Sequence, residues 1–317
     1  MKWGILATGK IAHTFAETIA KMEEEECVAA VASRSLEKAQ AFAQECDIPL
    51  AFGSYEELAA CGEVEAVYVA APNLMHDELV RLALSYGKHV LCEKPLTTSA
   101  GQSRALYELA SEKHLFLMEA FWVQFLPLFE KLRSDLPRIG QLQKIECDYG
   151  FVSSGPRRLT KLKPELGGGA LMDIGIYCLG FLQIVHPGKL IYRGGSMERC
   201  EYGTDEESIM EFSWEDGAAA HVSLSVKREM PRRAVITGSR GKITLPDFQQ
   251  AEEYTVYPEG EEPFTVKAPV GINGYEYEIR ECTRCVAQGR CSSEIYTPQE
   301  SLALIGAMGE VREAWNK

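Results

Sequence analysis

Three stretches of the chain carry residue types and spacings that bear on chemistry. The first, Val90-Leu91-Cys92-Glu93-Lys94-Pro95-Leu96, is a short apolar run that ends in an acid, a lysine and a proline. Residues 90–92 read as the end of a buried strand, and Pro95 cannot continue a central ladder and pushes Lys94 toward an extended or turn conformation. That places Lys94 at the lip of a sheet, where open α/β folds bind ligands beyond the strand ends. Alone, the same residues would read as a solvated strand-to-helix turn. The second stretch, Ala7-Thr8-Gly9-Lys10-Ile11-Ala12, is a dinucleotide fingerprint of the form A-x-G-x-x-A, in which Ala7 replaces the usual first glycine. Gly9 lets the backbone approach a pyrophosphate, whose charge a helix N-terminus favours. The third is Gly167-Gly168-Gly169-Ala170-Leu171-Met172-Asp173-Ile174-Gly175-Ile176-Tyr177. Three glycines open a helix on which Asp173 and Tyr177, four apart, share one face. Glycines permit close approach of another surface, read here as the nicotinamide half of a cofactor. The competing reading is a glycine-softened helix start with an ordinary Asp–Tyr surface pair.

The elements that must position these groups follow from hydrophobic period. Residues 3–7 form a short strand, and Ile11, Phe15, Ile19 and Met22 then repeat at helical spacing. Residues 28–32 make a second strand, followed by Ser33-Arg34-Ser35 and a helix carrying Leu36, Ala39, Phe42 and Ala43. About 20 residues past the glycine turn, NAD-binding proteins place an acid on the ribose diol. This chain has Ser33 and Arg34 there, with Lys38 a turn further on, a set that welcomes a 2′-phosphate and favours NADP over NAD. Arg34 could equally be a solvated helix-start residue. Ser54-Tyr55-Glu56-Glu57 is a capping box, residues 64–70 are another strand, and Ala71-Pro72-Asn73 leads into a helix through Leu79, Leu82 and Ala83. Asn73 and His76 stand at that strand end, to touch the nicotinamide ribose or to cap their helix. A helix over 99–114 and a strand over 115–118 complete a βα alternation, which predicts a parallel sheet with helices on both faces.

Beyond Glu119-Ala120-Phe121-Trp122 the period changes to two. Ile145, Cys147, Tyr149 and Phe151 alternate with polar residues, as do Ala220, Val222, Leu224 and Val226, which predicts antiparallel strands with one apolar face. The chain therefore reads as α/β, with a dinucleotide-binding domain over 1–120 and a sheet domain over 121–317. Thr297-Pro298-Gln299-Glu300 opens a C-terminal helix with Leu304, Met308, Val311 and Trp315 on one stripe.

Composition narrows the classes. Thirty-three basic against 46 acidic residues leave a net charge of −13, which argues against nucleic acid or an anionic membrane as main partner. No apolar run approaches the about 18 residues of a membrane span. The 10 cysteines are scattered through regular segments, and no leader is read before the first strand, so free thiols in a reducing cytoplasm are expected. Cys282, Cys285 and Cys291 lack a fourth ligand and a nearby histidine, and no metal is expected. The acidic run at 23–26 reads as a solvated helix end.

In order, the fingerprint variant, Glu93-Lys94-Pro95 and the stretch from Gly167 to Tyr177 resemble the Gfo/Idh/MocA oxidoreductase family, which includes glucose–fructose oxidoreductase and inositol dehydrogenase relatives. Met118-Glu119-Ala120-Phe121-Trp122 and Tyr177, where most of the family has His, resemble the dimeric dihydrodiol dehydrogenase branch, which also holds NADP-dependent D-xylose dehydrogenases. Val123 and Gln124 stand where that branch often carries Thr-Arg. The resemblance implies a Rossmann domain, then a substrate domain whose mostly antiparallel open sheet mediates homodimerisation. It implies hydride transfer between nicotinamide and a carbinol or carbonyl of a sugar or cyclic diol. Lys94 and Tyr177 would face the substrate with Asp173 beside them, Tyr177 as acid/base and Lys94 as its electrostatic partner, or with those two roles exchanged. Asp173 would orient the lysine or a substrate hydroxyl. Ala71, Pro72, Asn73, His76, Glu93 and Lys94 would line the nicotinamide side, and Trp122, Phe125 and Phe151 are apolar walls or core residues. Two other classes compete: a non-catalytic nicotinamide-binding regulatory or scaffold protein, and an NAD-assisted glycosidase of the same family.

Overall fold

A computed structural model describes residues 1–24 and 26–316; Glu25, within the acidic run, lies outside the described residues. Two compact units divide the chain, one built from Met1–Trp122 with Gly271–Leu302, the other from Val123–Val270 with Ala303–Lys317.

Near-continuous apolar runs make the strands of the first unit, as expected when both faces of a sheet are covered. These are β1 (Lys2–Leu6), β2 (Cys27–Ala32), β3 (Leu50–Phe52), β4 (Ala66–Val69), β5 (His89–Glu93) and β6 (Leu117–Ala120). Between them run α1 (Lys10–Lys21), α2 (Leu36–Glu45), α3 (Tyr55–Ala60), α4 (His76–Ser85) and α5 (Ala100–Glu112). All pairings are parallel, in the order β3-β2-β1-β4-β5-β6. Strand order reverses between β1 and β4, so the crevice for a dinucleotide opens where those two strands end. Beneath it Phe15 of α1 stacks on Tyr68 of β4, with ring centroids 3.9 Å apart. Polar N-caps start two of these helices: Ser35 accepts the Lys38 N–H, and Ser54 and Glu57 form the reciprocal box the sequence predicts.

In the second unit the period-2 pattern produces β7 (Leu142–Gly150), β8 (Ile191–Arg199), β9 (Asp205–Ser213), β10 (Ala219–Ser225), β11 (Ala234–Gly238), β12 (Gly241–Leu245), β13 (Glu253–Pro258) and β14 (Phe264–Lys267). They form one sheet in the order β14-β13-β12-β11-β7-β10-β9-β8, antiparallel except for β7 beside β10. Ala220, Val222 and Leu224 of β10 are fully buried beneath the helical layer. The helices are α6 (Pro127–Asp135), α7 (Pro156–Leu162) and α8 (Ile176–Val185). By length and composition alone, Pro164–Val185 could cross a membrane, a point the sequence reading missed; 83% of its apolar 18-residue window is buried, and its apolarity belongs to the core.

After β14 the chain returns to the first unit. There α9 (Tyr275–Ala287) lies against α1, with the Asn273 amide donating to the Thr18 hydroxyl at 2.8 Å and Arg280 paired with Glu24. Cys291 then offers its carbonyl to the Leu117 N–H at 3.0 Å. The last helix, α10 (Pro298–Trp315), starts in the first unit and ends in the second, and its Thr297–Glu300 box is present as the sequence predicts. The boundary read at 120/121 corresponds to the outward crossing at Trp122 and does not include this return. An amphipathic stripe shows that a helix has a buried face without showing which surface it covers.

One residue of the fingerprint is strained. Ala7 adopts φ +83°, the left-handed region that the usual glycine occupies without cost. Replacing it restores that glycine, so Ala7→Gly should raise the melting temperature, with a gain of up to about 1 kcal/mol after glycine's own entropy cost. A lower melting temperature would contradict strain at this turn.

Candidate active site

The dinucleotide turn joins β1 to α1. Gly9 has φ −80° and ψ 178°, ordinary extended angles, and a Cβ built on it meets no protein atom within 4 Å. Neither backbone conformation nor protein packing therefore calls for glycine at this position. What its absent side chain leaves open is space beside the N-terminus of α1, which has no side-chain cap and no acid in its first turn. Unsatisfied N–H groups and an unopposed helix dipole suit a pyrophosphate. Gly9 and Lys10 are exposed, while Thr8 and Ile11 are half-buried around them. Across the crevice, Ala71 ends the β4 side, Pro72 is exposed and Asn73 starts a short 3₁₀ turn. These residues fit a dinucleotide.

At the end of β2 the chain runs Val31-Ala32-Ser33-Arg34-Ser35. Ser33 is buried, and Arg34 and Lys38 are exposed, the guanidinium charge opposing the burial that raises the Tyr55 phenol. Two cations and a hydroxyl at this strand end suit a phosphate better than a bare ribose diol.

Lys94 leaves β5 half-buried, and the backbone around it is held at three successive residues. The Lys94 N–H donates to Glu93 Oε2 at 3.2 Å, and Glu93 Oε1 accepts the Tyr68 hydroxyl at 2.5 Å. The Lys94–Pro95 peptide is cis, and the Pro95 carbonyl lies 2.8 Å from His76 Nδ1. Next, the Leu96 N–H donates to Glu119 Oε1 at 2.9 Å, while Glu119 Oε2 accepts from Tyr296 at 3.0 Å and Ser301 at 2.5 Å. Burial raises the pKa of both Glu93 and Glu119, and the Lys94 charge and these hydrogen bonds oppose it.

His76 departs from its expected place. Instead of facing a ribose or capping its helix it is fully buried, with Nε2 2.8 Å from the Ala71 carbonyl as well as Nδ1 on Pro95. It brackets the ends of β4 and β5 together. Burial, the largest influence, lowers its pKa, whereas the two carbonyls favour a proton on each nitrogen. Glu278 on α9 was missed by the sequence reading. It is fully buried, and neither carboxyl oxygen has a hydrogen-bond partner among the described residues. Burial, reinforced by the Glu93 charge, raises its pKa well above the usual carboxylate value and so favours the uncharged acid. Its only sequence signal is an acid on the apolar stripe of α9. Trp122 is buried and stacked on Tyr275 at 5.1 Å, a packing role in the first unit, while Phe125 is half-buried in the second.

In the second unit, Leu171–Gly175 form a π-helical turn that runs straight into α8. Asp173 lies in the π turn and Tyr177 in the first turn of α8, four residues on. The Asp173 carboxylate accepts from Lys161 Nζ, a partner the sequence reading did not foresee. The same ammonium sits 4.4 Å from the centre of the Phe151 ring, so one face of that expected apolar wall is already covered by a cation. Tyr177 is buried, its ring 6.0 Å from that of Tyr149, whose hydroxyl donates to Gln249 at 2.8 Å. Burial first, then the Tyr177 and Asp173 charges, push the Tyr149 phenol upward.

The glycines before this turn serve a purpose other than the one expected. A Cβ on Gly168 would lie 2.5 Å from the Lys161 carbonyl oxygen, and one on Gly169 would lie 2.4 Å from Asp205 Oδ1. The surface that approaches them is therefore the chain's own α7 end and the Asp205 carboxylate, which also accepts the Leu171 N–H at 2.6 Å. Among the described residues, no group of three or more His, Cys, Asp or Glu side chains is placed to hold a metal.

Residues 1–121 match the oxidoreductase family with an NAD-binding Rossmann fold, and residues 135–244 match the Gfo/Idh/MocA C-terminal domain. The chain is similar over its length to trans-1,2-dihydrobenzene-1,2-diol dehydrogenases. It is 34% identical to that of Xenopus laevis over 325 residues, covering 98% of this chain and 97% of the relative. With the Mus musculus protein of the same name the identity is 33% over 323 residues, covering 99% and 96%. KijD10, a 3-ketoreductase from Actinomadura kijaniata solved with NADP and TDP-benzene, shares the fold at a TM-score of 0.90 and 23% identity, covering 99% of this chain and 97% of that one.

Asp205 gives this region a pH signature. Burial raises its pKa from 3.8 to about 6. Because the folded value lies above the unfolded one, the fold prefers the protonated acid, and stability from this group falls as pH rises from about 4 to about 6, by at most about 3 kcal/mol. Asp205→Asn keeps an acceptor for Leu171 and should flatten that slope, melting at or above wild type at pH 7. Asp205→Ala also removes the ionisation but loses the acceptor, so it should cost about 1 kcal/mol below pH 4, as a lost cap does, with the deficit shrinking or reversing by pH 7. Parallel melting-temperature profiles for wild type and the Asn variant would contradict a buried ionisation here.

Proposed function

The chain belongs to the Gfo/Idh/MocA family of nicotinamide-dependent oxidoreductases, and on that premise we propose that it is an NADP-dependent dehydrogenase of a cyclic diol or sugar, working in either direction between carbinol and carbonyl. The observation that carries this reading is the full-length similarity to diol dehydrogenases in a chain that carries Lys94, Asp173 and Tyr177. When bound, the cofactor supplies hydride acceptance and return at its nicotinamide ring. The chain's own residues do the rest.

The Gly9 turn and the uncapped α1 N-terminus hold the pyrophosphate, and Ser33, Arg34 and Lys38 hold the 2′-phosphate. Tyr177 is assigned proton transfer to and from the substrate oxygen. Lys94 supplies the positive charge that favours the phenolate and the developing alkoxide. Because the backbone on both sides of Lys94 is fixed by hydrogen bonds, little reorganisation is needed to aim that charge. Asp173 orients a neighbouring hydroxyl. The polar face of the open sheet is assigned to a homodimer contact, and the cytoplasm is the compartment that suits ten free thiols.

Lys94→Ala and Tyr177→Phe should each cut kcat by about 100-fold or more, as loss of general acid–base catalysis does, with NADP affinity by fluorescence titration nearly intact. Wild-type turnover of a diol or sugar substrate by both variants would remove the assignment. Cofactor choice has its own probe. Ser33→Asp places a carboxylate against the 2′-phosphate and should weaken NADP binding by about 10-fold or more relative to NAD; an unchanged NADP/NAD ratio would place the phosphate elsewhere.

A further inference from the structure

Lys161 is a second amine, and the reaction above leaves it unused. Its position is fixed at both ends. The Lys161 carbonyl accepts the Gly169 N–H at 2.8 Å, the Leu162 carbonyl accepts the Thr204 hydroxyl at 2.5 Å, and Gly168 is the residue whose missing Cβ allows that approach. The ammonium is fixed by the Asp173 carboxylate on one side and the Phe151 ring, 4.4 Å from its centre, on another. The two charged side chains nevertheless remain 30% and 23% exposed. An ion pair that open contributes about 0–1 kcal/mol, too little for stability to account for so constrained a placement.

The pair sits one helical turn from Tyr177, and both Asp173 and Tyr177 act on the Tyr149 phenol. An ammonium carries three donors, of which Asp173 takes one, and a carboxylate only accepts. Side by side they match a group that donates and accepts at once, which is a hydroxyl. A carboxylate or phosphate on the ligand would instead be repelled by Asp173, and an apolar carbon would leave both charges unserved.

We propose that Lys161 is a substrate-positioning residue that, together with Asp173, holds the second, non-reacting hydroxyl of a vicinal diol or sugar while Tyr177 addresses the first. This rests on the reading of Tyr177 given above. It makes the enzyme's preference for a diol over a simple alcohol a property of Lys161, and it takes Phe151 as the platform that keeps the ammonium in place.

The test uses the full chain saturated with NADP and two probes, trans-cyclohexane-1,2-diol and cyclohexanol. Lys161→Met keeps the stem over Phe151 and removes the charge. It should lower the ratio of kcat/KM for diol over mono-alcohol by about 10-fold or more, mostly through KM, in line with the loss of one hydrogen bond to a charged group. Lys161→Arg should restore part of the ratio, and Lys189→Met, an exposed charge elsewhere in the second unit, should leave it alone. Equal losses on both probes, or a loss confined to kcat, would overturn the proposal in favour of a purely structural ion pair. Calorimetric binding of the two probes reads the same preference without turnover. Diol affinity that depends on Lys161 in a protein that oxidises neither probe would overturn the proposed activity and uphold the hydroxyl site. Diol affinity equal in wild type and Lys161→Met, or no binding of the diol to wild type, would overturn the site.

Discussion

Three consecutive backbone groups, from Lys94 to Leu96, are held by polar side chains that have almost no access to water. Burying such side chains is unfavourable unless they are hydrogen-bonded, and once bonded they tolerate little displacement. Glu119 illustrates the balance. Its carboxylate is buried, and it survives there because a backbone N–H and two hydroxyls surround it. Two of those donors, Tyr296 and Ser301, come from the segment that returns to the first unit after the large sheet is complete. The position of the amine at residue 94 therefore depends on chain that is about two hundred residues away in sequence. Glu278, delivered by the same return, has no hydrogen-bond partner among the described residues, and burial pushes its pKa up without the opposing donors that Glu119 has.

The second unit solves a comparable problem with glycine and with one carboxylate. Asp205, at the start of β9, takes up the first free N–H of the π turn and excludes a side chain at Gly169, which itself has φ +132°. Gly168 lets the end of α7 lie against the turn. Asp173, Tyr177 and Lys161 are thereby set by backbone contacts rather than by side-chain packing alone. Departures from regular helix like the π turn gather at functional sites.

How far the sequence went can be seen in single residues. The alternation of apolar strands and helices at the N-terminal end dictated a parallel sheet, because only buried strands read as unbroken apolar runs. The caps at Ser54 and Thr297 were legible because capping is local: donor, acceptor and residue types lie within one turn. His76 was misread because its partners are the carbonyls of Ala71 and Pro95, groups that every residue possesses and that therefore leave no mark in a sequence. The three glycines were correctly taken as a place of close approach, but the approaching surface was not identifiable, since a missing Cβ says nothing of what fills its place.

By itself the sequence determined the things set by neighbours along the chain: the type and order of the elements, the glycine turn with alanine in its first place, the lysine after a strand end and the acid and phenol four apart. Only the tertiary structure decided which charges meet. It paired Asp173 with Lys161, put a cation on the face of Phe151, buried Glu278 without a hydrogen-bond partner among the described residues and set His76 between two strand ends. The reason is physical. Propensity and period act over a few residues, whereas the energy of a charge depends on burial and on partners a few ångströms away, which the folded chain supplies from any distance in sequence.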